Sequence, residues 1–330
     1  MTISPRLLLT GSTGFIGNQL LAHFSKLMPV LALSKTELIE CTDPSSRDMR
    51  VQASRRRLFD FAPSHIIHCA ALAHKAYPRT VGKIKELEEV NILLPIRLAK
   101  VSKDLGIKHF IFLSSIGVHG VFTAINECIS EDSPIAPANP YAKSKYAAEE
   151  GIKTCLGDSM CKLSILRPAL VYGQGMPGNL RTLIRAVDAG YVLPFKYTRN
   201  LRSFLALDNL VSAIEAIALH PNCDGGTFVV SDTELISTPD LIRFIAEVRG
   251  RSCRLVGLPE NVIHLASALP FVGLKLKQLT KSLVVNSNKI RVQLGWSQPI
   301  SQHDAMKKAF LSFSSPDPVT ARKDDAPASI

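Results

Sequence analysis

The stretch TGSTGFIG, Thr10 to Gly17, places glycines at positions 11, 14 and 17 immediately after the apolar run 6–10. Glycine permits the tight turn and close backbone approach that a pyrophosphate needs, and a helix beginning near Phe15 presents free N–H groups to the anion. A glycine trio alone carries little weight. A strand before it and a helix after it make it a dinucleotide-binding turn, with Gly11, Thr13, Gly14, Phe15, Ile16 and Gly17 as candidate contacts. The second strand, 30–33, runs into ALSKTE. An acid at that point binds a ribose 2′-hydroxyl and repels a 2′-phosphate. Ser34 and Lys35 tolerate the phosphate, whereas Glu37 reaches the hydroxyl if the loop turns back, so the reading is NAD or NADP with a lean to NADP.

Outward from this turn, apolar β runs at 6–10, 30–33, 65–70 and 109–114 alternate with helical patterns. That alternation predicts an α/β fold, a Rossmann-type doubly wound parallel sheet covered on both faces. A helix over 83–104 ends before Gly106, suited to the position after a helix, and Leu163 to Arg167 reads as another buried strand. Beyond Pro168 glycine and proline become frequent. Helices are expected at 180–189, from near Asp208, and from STPD, where Thr238 caps; a strand is expected at 227–230. The expected division is a dinucleotide-binding domain over 1–167 with return elements near 201–231, and a smaller, mostly C-terminal α/β substrate-binding lobe over 168–313. The polar, proline-bearing tail 314–330 reads as disordered.

The 330 residues are 46% hydrophobic and 20% charged, the composition of a globular chain with a sizeable core. Seven cysteines are scattered without a CxxC, and histidines do not join them at metal-ligand spacing, so no metal site is expected and the thiols read as reduced in a cytoplasmic protein. The start of the chain shows no secretion-signal pattern. The most apolar later segment, Val262 to Leu279, is interrupted by Pro270 and Gly273 and carries lysines, which argues against an integral membrane segment. A net charge of +11 suits an anionic ligand, but the basic residues are dispersed and the tightest cluster, Arg55 to Arg57, falls on a predicted helix, so nucleic-acid binding is not expected.

In NPYAKSKYAAEE, Asn139 to Glu150, a proline suited to a helix start precedes Tyr141 and Lys145, whose four-residue spacing puts both on one helix face. Such a pair is either an ordinary surface turn or a proton donor beside its activator. Of the histidines, His68 in HIIHCAA reads as a hydrogen-bonded core imidazole. His74, just past that strand, reads as a candidate substrate contact at the crevice.

The GxxGxxG spacing resembles the extended short-chain dehydrogenase/reductase family, the NAD-dependent epimerases, reductases and dehydratases of sugar nucleotides. Further matches follow in family order: HCAA (68–71) at the fourth strand, VN (90–91) in the next helix, FLSSIGVHG (112–120), YAKSK (141–145) and LRPALVYGQG (166–175). The resemblance implies that Ser115 hydrogen-bonds the reacting carbonyl or hydroxyl, that Tyr141 exchanges the proton, and that Lys145 binds the nicotinamide ribose and lowers the tyrosine pKa. It adds Ala70, Ala71 and Asn91 as cofactor contacts. GNL (178–180) and RSFLALDNLV (202–211) resemble the nucleotide-sugar segments, implying substrate contacts by Asn179, Leu180 and Arg202, the last on a UDP diphosphate. Ser114 should face the opposite side of its strand, in a structural role. Family members are often dimers through a helix pair that would include the helix starting at Tyr141, so a homodimer is expected.

Dehydratases resemble one another in a Thr-Asp-Glu after the first active-site serine; here Ser115, Ile116 and Gly117 supply no carboxylate, so dehydration is not expected. SSIGVHG, YGQGMPGNL and RSFLALDNLV are similar to a subgroup from bacterial surface-polysaccharide (O-antigen, lipopolysaccharide) synthesis, commonly labelled UDP-glucose 4-epimerase. It departs at Gly117 and His119, where members often carry Lys and Asn. Some members reduce UDP-2-acetamido-2,6-dideoxy-4-hexulose to UDP-N-acetylquinovosamine. That 4-keto reduction is the favoured reading, with 4-epimerisation of UDP-glucose or UDP-N-acetylglucosamine on a retained NAD as the alternative. A nonenzymatic dinucleotide sensor or RNA binder is a third reading, disfavoured because Ser115, Tyr141 and Lys145 are all present.

Overall fold

The computed structural model describes residues 4–42, 48–73, 80–258 and 273–313, and all side chains among them except those of 273–275. His74, most of the apolar segment 262–279 and the tail 314–330 lie outside the described residues.

The first half alternates as expected: β1 (Leu7–Thr10), α1 (Phe15–Phe24), β2 (Val30–Leu33), α2 (Lys35–Thr42), α3 (Met49–Phe61), β3 (His65–His68), α4 (Val81–Glu88), α5 (Leu94–Asp104) and β4 (His109–Leu113). Next come α6 (Pro140–Leu156), β5 (Lys162–Pro168), β6 (Leu170–Tyr172), α7 (Asn179–Asp188), β7 (Arg202–Ala206), α8 (Leu207–Leu219), β8 (Gly226–Val230), β9 (Leu235–Ile236) and α9 (Thr238–Val248). The helices α10 (Gly273–Thr280), α11 (Asn288–Leu294) and α12 (Gln302–Leu311) complete the chain. HCAA follows the third strand, not the fourth, because the segment between β2 and β3 folds as two helices.

Six strands form a parallel sheet in the order β2-β1-β3-β4-β5-β8, and β6, β7 and β9 form a second, mixed sheet. The pleat sends alternate residues to opposite faces. Leu7 and Leu9 pack with Ile67, Ile111 and Leu166 under α1 and α8, while Leu8, Ile66, Phe110 and Phe112 pack under α5 and α6. Each face supplies its own core, which fixes the register and leaves the crevice at the strands' C-terminal ends. A third cluster joins α7, α9 and α12.

Two local expectations are corrected. Helix α9 is capped by Ser237, which accepts from the Asp240 N–H, and not by Thr238, whose buried hydroxyl donates to the Leu279 carbonyl at 2.6 Å. The expected helix 83–104 starts earlier and contains a π-turn, Glu89–Leu93, between α4 and α5.

Candidate active site

The strand order reverses between β1 and β3, the place where a doubly wound sheet opens a crevice at its C-terminal edge. Gly11 leaves β1 at φ +77°, and a Cβ there would lie 2.6 Å from the Ala70 nitrogen beyond β3. At Gly17 a Cβ would lie 2.0 Å from the Gly11 carbonyl oxygen, whereas at Gly14 the nearest atom is that same oxygen at 3.3 Å. The turn is therefore closed so tightly that only hydrogen fits at two of its three glycines. Gly14 caps α1 without a side chain, so the first amides of the helix face the crevice unobstructed. This is a cradle of the right make for a dinucleotide's pyrophosphate.

At the end of β2, Ser34 and Glu37 form a capping box: the Glu37 N–H donates to Ser34 Oγ at 3.2 Å and Glu37 Oε2 accepts from the Ser34 N–H at 2.9 Å. The backbone N–H and hydroxyl of Ser34, first among these contacts, and Arg57, at 2.6 Å from Oε1, hold the Glu37 carboxyl below its ordinary pKa. Lys35 leans on Glu86 at 3.4 Å. The two residues expected to receive a 2′-phosphate are thus engaged within the protein.

Asn91 sits in the π-turn with both ends of its amide in use. Oδ1 accepts from the Leu72 N–H at 2.8 Å and Nδ2 donates to Ser144 Oγ at 3.0 Å. It ties the loop after Ala70 and Ala71 to α6. The extra residue of a π-turn aims this side chain inward, a feature not readable from VN alone.

Ser115 ends the β4 segment in extended conformation and caps the 3-10 turn Ile116–His119, its Oγ accepting from the Gly117 N–H at 3.1 Å. A Cβ on Gly117 would lie 3.3 Å from Ser115 Oγ and 3.5 Å from Ala142 Cβ, which places the serine alongside the first turn of α6. That turn is fixed by Asn139, whose Oδ1 accepts from the Ala142 N–H at 2.8 Å, and carries Tyr141. One turn on, Lys145 is 1% exposed, its Nζ 4.0 Å from the Phe112 ring centroid. Burial pushes Lys145 down to about 7, partly offset by Glu149 and Cys69, and pushes the Tyr141 phenol up to about 12. Desolvation raises the phenol, and Lys145 stands one turn away on the same helix.

Ser114 faces the other way, as expected, donating to the buried Glu149 carboxylate, which also pairs with Arg167. His68 is a core imidazole: its Nδ1 lies 2.9 Å from Thr10 Oγ1, its ring stacks on Phe112, its Nε2 makes no hydrogen bond among the described residues, and burial pushes its pKa down to about 3.

The expected substrate contacts differ in their surroundings. Arg202 is 9% exposed, and NH1 donates to the Lys281 carbonyl at 3.0 Å. It has no carboxylate partner among the described residues, and burial lowers its pKa to about 10. Asn179 is exposed and donates to Gln278 of α10. Leu180, with Leu183, Ile184 and Val187, forms the apolar stripe of α7, its side chain buried in the third core cluster. Among the described residues no group of three His, Cys, Asp or Glu side chains is placed to hold a metal ion.

A glycine cradle at the switch point, with a serine, a tyrosine and a buried lysine at the adjoining strand and helix, defines an α/β dinucleotide-binding enzyme site. Residues 7–231 match the family described as the NAD dependent epimerase/dehydratase family, and the chain belongs to it. It is 30% identical over 318 residues to a UDP-glucose 4-epimerase of Vibrio cholerae, covering 93% of this chain and 95% of that one. Its fold is similar to that of the Bordetella bronchiseptica enzyme WbmG solved with NAD and UDP (TM-score 0.70, 22% identity, 94% of each chain). It is also similar to a Thermotoga maritima UDP-glucose 4-epimerase solved with UDP-glucose (TM-score 0.71, 20% identity, 92% and 97%). No helix among the described residues is long and apolar enough to cross a membrane.

Proposed function

We propose that this protein performs NAD-dependent oxidoreduction at carbon 4 of a UDP-sugar, acting as a reductase of a 4-keto sugar such as UDP-2-acetamido-2,6-dideoxy-4-hexulose. The observation that carries the reading is the placement of Ser115 alongside the first turn of α6, which bears Tyr141 and, one turn on, the buried Lys145: a phenol there is in place to deliver a proton to a carbonyl oxygen. When bound, the nicotinamide supplies or accepts the hydride. Around it, Gly11, Gly14 and Gly17 seat the pyrophosphate, Glu37 takes the ribose 2′-hydroxyl, and Lys145 holds the nicotinamide ribose. Ser115 donates to the sugar oxygen, and Tyr141 passes its proton to that oxygen as the carbonyl becomes a hydroxyl. Lys145 then faces the phenolate that remains and stabilises it. Arg202, a buried cation without a counter-charge among the described residues, suits the diphosphate of UDP. NAD is favoured over NADP by the engagement of Ser34 with Glu37 and of Lys35 with Glu86.

A second reading, 4-epimerisation on a retained NAD, is favoured by the names of the Vibrio cholerae and Thermotoga maritima proteins. It uses the same serine, tyrosine and lysine. Incubation with the 4-keto sugar, UDP-glucose or UDP-N-acetylglucosamine, while following reduced-nicotinamide absorbance, separates the two. Stoichiometric consumption with the keto sugar alone supports reduction, and C4 epimers formed without net cofactor change establish epimerisation instead.

A further inference from the structure

We propose that His119 is a positioning residue for this reaction, bracing the turn after Ser115 against the buried Arg167–Glu149 pair and the loop that leads into α6. The inference rests on the functional reading above for its turnover arm. His119 ends the 3-10 turn and is 7% exposed. Its Nδ1 lies 3.0 Å from the Ser133 carbonyl oxygen and 3.2 Å from that of Pro134. Carbonyls only accept, so Nδ1 carries the hydrogen. Nε2 then offers a lone pair to Arg167 NH1 at 2.8 Å, and a guanidinium only donates. The imidazole is therefore fixed as one neutral tautomer by partners that cannot exchange roles. Burial, then Arg167, also disfavour its charged form.

The other edge of Arg167 grips Glu149, with Nε 3.1 Å from Oε1 and NH2 on Oε2, and Glu149 also accepts from the Ser114 hydroxyl. Ser114 adjoins Ser115, and Glu149 lies one turn beyond Lys145 and two beyond Tyr141 on α6. Four side chains thus run from the loop at 133–134 through His119, Arg167 and Glu149 to Ser114. They join every element that carries a reacting group: the end of β4, the 3-10 turn and α6, with β5 as the anchor. A displacement of about 1 Å between such groups is enough to slow a reaction about a hundredfold.

The two halves of the brace can be cut separately. His119→Asn keeps a donor for the loop carbonyls but withdraws the acceptor from Arg167; His119→Gln does the reverse; His119→Leu removes both. Each amide variant should lose about tenfold in kcat and His119→Leu about a hundredfold, with KM for the UDP-sugar and Kd for NAD within about twofold of the parent. Amide hydrogen exchange should quicken at 115–120 and 133–142 in His119→Leu and stay unchanged in β1 and the glycine turn. Full kcat in folded His119→Leu, or in both amide variants should that one not fold, would overturn the proposal. So would exchange that rises uniformly along the chain, which marks a merely structural histidine. A parent that turns over no UDP-sugar sinks the functional reading instead, and the localisation of exchange then still decides for or against the brace.

Discussion

Replacing Gly17 with alanine should abolish useful NAD binding for a reason that can be separated from ordinary glycine strain. The new Cβ would stand 2.0 Å from the Gly11 carbonyl oxygen, against a 3.0 Å floor for real Cβ contacts, so the turn must open by about 1 Å. Amides aimed at a pyrophosphate lose their hydrogen bonds with such a shift. Hydrogen bonds to a charged group contribute about 1.5–3 kcal/mol each, so losing two weakens binding by about 3–6 kcal/mol, a hundredfold or more in Kd. Gly14→Ala meets the same oxygen at 3.3 Å without a positive φ and should change Kd by no more than about threefold. Gly106→Ala supplies the control for strain alone: φ is +63° with nothing within 4 Å. It should cost about 1–2 kcal/mol of stability and leave Kd untouched. Isothermal calorimetry with NAD, alongside thermal unfolding of each variant, reads both quantities. A folded Gly17→Ala protein that binds NAD like the parent, or a Gly106→Ala protein that loses NAD as severely, would refute the cradle.

Four further outcomes follow from the site. Lys145→Met should abolish turnover yet raise the melting temperature of the ligand-free protein, because a buried lysine held at about 7 disfavours folding while the unfolded chain keeps it charged. The sign sets the window: with the folded pKa depressed from 10.5, the parent's disadvantage is full below about 7 and shrinks as pH rises toward 10.5, as paired melts across that range would record. Glu149→Gln leaves Arg167 buried against a neutral amide and should destabilise by about 3–5 kcal/mol in urea titrations, while the double change Glu149→Met with Arg167→Met should recover most of that loss. NAD should bind at least about tenfold more tightly than NADP, and Glu37→Ala should narrow that gap when both are titrated. Arg202→Ala should weaken UDP binding by about 1.5–3 kcal/mol and leave the NAD Kd unchanged, measured by calorimetry with each nucleotide.

The glycine turn, the alternation of strands and helices, and the Tyr141–Lys145 pair were legible in the sequence because each is local: spacing within one turn or one helix states the geometry. Two further features are equally local. SKTE carries the Ser-x-x-Glu signature of a capping box, and Leu180, Leu183, Ile184 and Val187 carry the helical period of a core stripe. The π-turn at Asn91 and the path from His119 to Ser114 were not legible, since they join residues far apart in the chain through contacts that only the packed sheet brings together. Charge proximity is visible in a four-residue spacing, but the desolvation that raises the Tyr141 phenol depends on what the rest of the chain lays over it.

Under the proposed function, proton and hydride chemistry takes place at carbon 4 with Tyr141 as the proton carrier. The most direct measurement is nuclear magnetic resonance of the products formed from the 4-keto UDP-sugar and from UDP-glucose, by the parent enzyme and by a folded Tyr141→Phe variant that still binds NAD. Chemistry confined to carbon 4 in the parent and absent from the variant is the predicted result. Change at another carbon, or an undiminished rate in Tyr141→Phe, would contradict the account.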